Sequence, residues 1–229
     1  MLRTETVSPQ LLTVLSQLMK MESLRNFRLV GGSALSLQLG HRASVDIDLF
    51  SCNDFLVEQI CTELTEYFML EQPVKNMENS MIRTVLNGVK VDIVDSKSKF
   101  IRHAVVEENI RMAHPEEIAA MKIKITCDPF SGRKTKKDLA DIAALLDSYS
   151  LKEMVGFFKE KYPTMAPYEE AVILRIKDFS EAENTIMPLI FNGMTWEKTK
   201  CKIENTLKDY FDTLLKEREK KLKDSNRYS

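Results

Sequence analysis

Residues 81 to 94 constrain the fold most. Met81 to Leu86 and Val89 to Val94 are two β-rich runs separated by Asn87-Gly88. Asn-Gly between such runs is the preferred two-residue turn of a β-hairpin, because both turn positions need positive φ. On the second strand Val89, Val91 and Ile93 share one face, while Lys90, Asp92 and Val94 share the other. The chain therefore contains a sheet with one apolar face, and a carboxylate, Asp92, stands on its polar side.

A second strand pattern lies upstream. Ser44 to Phe50 reads S-V-D-I-D-L-F, so Val45, Ile47 and Leu49 alternate with Asp46 and Asp48. Residues 8 to 24 have helical spacing and precede a short apolar strand, Phe27 to Val30. Gly31 and Gly32 break that strand, Ser33 caps a new helix from Ala34 to about Leu39, and Gly40 ends it. Asp54 to Phe68 returns to helical spacing. Beyond residue 114 the pattern is helical only. His114-Pro115-Glu116-Glu117 is a helix start, and Cys127 to Thr135 is a loop. Helices are expected at roughly 136 to 149, 151 to 161, 167 to 176, 181 to 191 and 195 to 222. The expected class is α/β (α+β), with a mixed-sheet core over residues 1–112 and a helical part over 113–229.

Composition excludes several other classes. With 44% hydrophobic and 29% charged residues in 229, the chain reads as globular. Four scattered cysteines, Cys52, Cys61, Cys127 and Cys201, form no C-x-x-C pair and read as reduced thiols. There is no signal-type N-terminus, and no stretch approaches the ~20 apolar residues that span a bilayer, so a cytoplasmic protein is expected. A net charge of −1 means that any nucleic-acid surface would be a local patch.

The order strand, Gly-Gly-Ser, helix, D-x-D strand has chemical content. A glycine pair between strand and helix lets the backbone approach a phosphate at a helix N-terminus. Asp46 and Asp48, at i and i+2 of a strand, point the same way, about 7 Å apart at the base. Carboxylates are the hard ligands Mg²⁺ prefers, with phosphates and waters completing its shell. Asp92 on a neighbouring strand would allow a second metal. Alone, a D-x-D is usually a polar strand face and a Gly-Gly usually a turn; it is their order that points to one geometry.

The run L-V-G-G-S-A-L-S-L-Q-L-G-H-R-A-S-V-D-I-D-L-F resembles the opening motif of the AbiEii/AbiGii toxin family, within the DNA polymerase β-like nucleotidyltransferase superfamily. P-E-E-I-A-A-M-K-I-K (115–124) and R-K-T-K-K-D-L-A-D-I-A-A-L-L (133–146) resemble the family's lysine-bearing and later basic-acidic helices. The resemblance implies that Gly31, Gly32 and Ser33 hold the triphosphate and that Asp46 and Asp48 bind Mg²⁺. It further implies that Lys122 contacts nucleotide, and that Asp138 and Asp141 are the downstream acids, with Asp141 catalytic. Lys124 competes with Lys122, but the two lie about 200° apart around a helix, so only one faces a site. Arg42 is placed to reach a phosphate bidentately or to close a salt bridge. The basic run Arg133, Lys134, Lys136 and Lys137 is either a solvated turn or a steering surface for phosphates.

The function expected is transfer of a nucleoside monophosphate from an NTP to an acceptor hydroxyl, and the resemblance implies that the acceptor is RNA, at the 3′ end of a tRNA. The resemblance makes it the toxin of a type IV toxin–antitoxin or abortive-infection pair whose antitoxin acts indirectly. The alternatives are adenylylation of a small molecule or protein, and a non-catalytic nucleotide-binding module.

Overall fold

The computed structural model describes residues 1–70, 74, 81–127 and 134–225. Helix α1 (Pro9–Leu18) opens with the Ser8 hydroxyl accepting the Leu11 N–H, with proline in its first turn. It stops six residues short of the expected end. The turn that follows presents the carbonyls of Met19, Leu24 and Phe27 to one guanidinium, that of Arg111, at 3.0, 3.0 and 3.2 Å. A partner 84 to 92 residues away thus satisfies carbonyls of the non-helical turn.

The order then runs β1 (Arg28–Leu29), α2 (Gly31–Leu39), β2 (Asp46–Ser51), α3 (Val57–Tyr67), β3 (Met81–Leu86), β4 (Val89–Asp95), β5 (Val105–Glu107) and β6 (Ile110–Met112). These six strands form one sheet in the order β3-β4-β2-β1-β6-β5. The β2–β4 and β1–β6 pairs are parallel and the others antiparallel. The 81–94 hairpin forms as expected, with Asn87 at φ +48 and Gly88 at φ +77. The short β5–β6 hairpin has no counterpart in the sequence reading.

Along β2 the alternation sorts the faces: Ile47 and Leu49 are fully buried, whereas Asp46 and Asp48 are half-buried on the other side. Val91 and Ile93 of β4 and Leu11, Leu15 and Leu18 of α1 belong to the same apolar cluster. α2 begins at Gly31, not at Ala34. Its N-cap is Val30, which has no capping side chain, and the helix ends at Gly40. Ser33 lies inside the first turn, and its hydroxyl donates to the Asp46 carbonyl instead of capping.

Helices make up the rest: α4 (Pro115–Cys127), α5 (Lys136–Leu145), α6 (Leu151–Lys161), α7 (Glu169–Ile176), α8 (Ser180–Glu183) and α9 (Trp196–Ser225). The helix expected at 181 to 191 is wrong. α8 spans four residues, and Pro188, which lacks an N–H, prevents continuation. Leu189 and Phe191 instead bond to the loop before β2: Ala43 N–H to Leu189 O at 2.8 Å and Phe191 N–H to His41 O at 2.9 Å. Most of the expected loop at 127–135, from 128 to 133, lies outside the described residues, while Cys127 belongs to α4. No described helix is long and apolar enough to cross a membrane.

A buried ion pair ties α4 to α6. Lys161 Nζ meets Glu117 and also donates to Lys99 O at 3.0 Å, while Glu117 accepts the Ile101 N–H at 2.7 Å. Removing one partner leaves the other charge stranded in the interior. Glu117→Ala is therefore expected to lower stability by about 3–5 kcal/mol in urea unfolding; a change below about 1 kcal/mol would show that water reaches Lys161.

Candidate active site

Asp46 and Asp48 line a cleft of about 480 Å³ between the sheet and the α4–α5 pair. Parallel pairing sets Asp48 directly opposite Asp92 and Asp46 opposite Lys90. Burial pushes the Asp48 carboxyl up to about 6, and the like charges of Asp92 and Asp46 add to the effect. Lys122 and Lys90 oppose it. Asp92 Oδ2 lies 3.4 Å from Lys90 Nζ and 3.8 Å from Arg83 Nε. Its Oδ1 is buried without a hydrogen-bond partner among the described residues. Asp92 does not line the cleft, and no three described His, Cys, Asp or Glu side chains already stand at metal-holding distance. The expected three-carboxylate set is thus two cleft aspartates with the third beside them. Crowded carboxylates, one with an orphaned oxygen, still form a donor set suited to a hard cation.

The glycine pair meets a steric requirement. Gly31 opens α2 at φ +67, and a Cβ there would sit 2.9 Å from Asp48 Oδ2. At Gly32, which lines the cleft, a Cβ would overlap Nη2 of Arg42. Ser33 is buried and absent from the cleft; its oxygen lies 2.9 Å from Ser44 Oγ, and Ser44 is the serine at the cleft wall.

Lys122 reaches the cleft from α4, with Nζ 2.8 Å from Asp138 and 2.7 Å from Asp141. Burial alone would depress this amine, but Asp141 and Asp138 hold it above its usual value. Lys124 faces elsewhere, 4.8 Å over the Tyr162 ring. Asp138 lines the cleft and also caps α5, its Oδ2 accepting the Thr135 N–H at 3.1 Å.

Asp141 departs from its expected place. It is fully buried, outside the cleft, and grips three side chains. Oδ1 accepts from His41 Nε2 at 2.7 Å and Arg42 Nε at 2.6 Å; Oδ2 accepts from Arg42 Nη2 at 2.8 Å and Lys122. Despite burial, Lys122, Arg42 and His41 hold its carboxyl well below the carboxylate range. Arg42 presents its fork to Asp141, with Nη1 on Ala43 O at 2.9 Å, which is the salt-bridge alternative of its two expected roles. The sequence reading assigned no site role to Ser44, Lys90, Ile125 or Thr135, which also line the cleft. Lys90 carried a signal, since it precedes Asp92 by two on one strand face. In the basic run, Lys134 donates to Arg175 O at 2.6 Å and Lys136 to Glu183 O at 2.8 Å, whereas Lys137 lines the cleft. Arg133 lies outside the described residues.

A mixed sheet that carries paired aspartates beside a glycine-opened helix, closed over by a lysine-bearing helical part, defines a nucleotidyltransferase. A candidate nucleotidyltransferase from Helicobacter pylori shares the fold, with a TM-score of 0.52 and 18% identity over 90% of this chain and 94% of that one. JHP933 from Helicobacter pylori does so too, with a TM-score of 0.51 and 18% identity over 93% and 97%. No curated protein matches the chain significantly. Residues 13–217 match the family model described as nucleotidyl transferase AbiEii toxin, type IV toxin–antitoxin system. The chain belongs to that family and is a nucleotidyltransferase of the AbiEii toxin type.

Two measurements follow from the buried charges. Asp141→Asn leaves Arg42 and Lys122 without their shared anion and is expected to cost about 3–5 kcal/mol in urea unfolding; an unchanged midpoint would mean that the network is solvated. Asp48 titrates near 3.8 unfolded and near 6 folded, so the folded chain binds more protons between those values. Without metal, stability should therefore fall as pH rises from about 4 to 6, by up to about 3 kcal/mol. Asp48→Asn should lack that slope, and equal slopes in both proteins would show that Asp48 is ordinary.

Proposed function

We propose that the protein transfers a nucleoside monophosphate from an NTP to a hydroxyl of RNA, at the 3′ end of a tRNA, with Mg²⁺ held by Asp46 and Asp48 and Asp92 supporting them. The observation that carries this reading is the pair Asp46 and Asp48 in a cleft of nucleotide size, with Asp92 opposite Asp48 on the neighbouring strand. Three carboxylates gathered this closely favour a cation, and bound Mg²⁺ would neutralise the triphosphate and acidify the attacking hydroxyl.

The chain's own groups position the reactants. Gly32 and Ser44 form the wall at which the triphosphate enters. Lys122 has three N–H donors, of which Asp138 and Asp141 take two. The third is left to meet a phosphate oxygen from a fixed position. In the transfer, the acceptor oxygen bonds to the α-phosphorus and the hydroxyl proton passes to water. The bond from α-phosphorus to the bridging oxygen breaks, and pyrophosphate leaves with its electron pair. Such catalysis is mainly positioning and electrostatic stabilisation. Membership in a type IV toxin family supports an antitoxin that counteracts the toxin indirectly.

The test is incubation of the protein with Mg²⁺, total RNA and each α-³²P-labelled NTP in turn, beside the Asp46→Ala/Asp48→Ala variant. Label is expected in a tRNA-sized band with the intact protein and at background with the variant. Label confined to protein or to small molecules would replace RNA as the acceptor, and label that persists in the variant would remove the aspartates from the reaction.

A further inference from the structure

Among the described residues, four cationic side chains line the cleft: Arg42, Lys90, Lys122 and Lys137. Their surroundings differ. Arg42 and Lys122 face Asp141 and Asp138, two positive charges against two negative ones. Lys90 lies 3.4 Å from Asp92, a carboxylate that Arg83 also approaches, at 3.8 Å. Lys137 has no carboxylate or hydrogen-bond partner among the described residues. It is the second residue of the ten-residue helix α5, whose N-cap residue, Thr135, also lines the cleft. The helix start adds partial positive charge at that point.

We propose that Lys137 binds the terminal phosphates of the incoming nucleotide, the pair that leaves as pyrophosphate. This rests on the nucleotidyltransfer reading above. An NTP brings a tail in which the β- and γ-phosphates hold most of the negative charge. Asp46 and Asp48, with the cation they attract, fix the α-phosphate end. Each of the other described cations of the cleft already faces a carboxylate, so the described cation left open to the tail is Lys137. Lys122 supplies a directed hydrogen bond; Lys137 supplies net charge, and it neutralises the leaving group as the bond to it breaks.

The experiment is calorimetric titration of the full chain and of Lys137→Gln with inorganic pyrophosphate, the four NTPs and the four NMPs, each with Mg²⁺. Glutamine keeps most of the stem and removes the charge. Affinity for pyrophosphate and for the preferred NTP is expected to fall about tenfold, with NMP affinity unchanged and Lys137→Arg close to wild type. Equal weakening for NMP, or unchanged pyrophosphate binding, would overturn the assignment. Loss confined to RNA binding would overturn it in favour of the acceptor backbone. Pyrophosphate bound through Lys137 by a protein that labels no acceptor would instead sink the transfer reading and leave this assignment standing.

Discussion

The site depends on one buried carboxylate. Asp141 sits on α5 and receives donors from the loop before β2 and from α4, so three separate parts of the chain meet at its two oxygens. Burying so many charges carries a large desolvation penalty, repaid only when every partner is present with good geometry. Here each oxygen accepts two donors. The arrangement is therefore close to all-or-none: with Asp141 in place, Lys122 stands at the cleft and Arg42 lies over Gly32; without it, two cations are left in the interior. Asp141 is itself buried outside the cleft and reaches it through the Arg42 and Lys122 side chains that it holds.

The sheet contributes the opposite kind of constraint. Parallel pairing of β2 with β4 places Asp48 against Asp92, and the same register buries Ile47, Leu49, Val91 and Ile93 on the core face. Slipping by one residue would relieve the carboxylates but turn the apolar set outward. Apolar burial, worth roughly 1.5–3 kcal/mol per large side chain, fixes the register. The aspartates must then accept a proximity that raises Asp48 to about 6. Hydrophobic packing thus holds like charges together where a cation is useful.

Local patterns were legible wherever the cause was local. The Asn87-Gly88 hairpin, the alternating strand at Asp46–Ser51 and the start of α4 at Pro115 follow from turn chemistry, period and capping within a few residues. The end of α1 did not, because the carbonyls of the turn after it are satisfied by Arg111, far along the chain. Nor did the 189–191 strap, whose partners are residues 41 and 43. Among site residues, the aspartates of β2 and Lys122 were legible by face and by motif. The burial of Ser33 and the inward turn of Arg42 were not, since both depend on which side chain lies across the fold. A serine after Gly-Gly looks the same in sequence whether its hydroxyl meets a phosphate or the Asp46 carbonyl.

The division of labour among the cations follows from these contacts. A lysine held by two carboxylates is immobile and aimed, but it brings little net charge to the cleft. A lysine without a carboxylate brings its full charge, with less geometric definition. Transfer needs both, because the reacting phosphate must be placed to a fraction of an ångström while the departing phosphates need only be neutralised. Lys122 on α4 and Lys137 on α5 are one of each kind. Asp138 stands between them, capping the helix that carries Lys137 while holding Lys122. Displacing Asp138 would therefore disturb the aim of one lysine and the footing of the other, and in the proposed reaction this would couple phosphate positioning to leaving-group neutralisation through a single side chain.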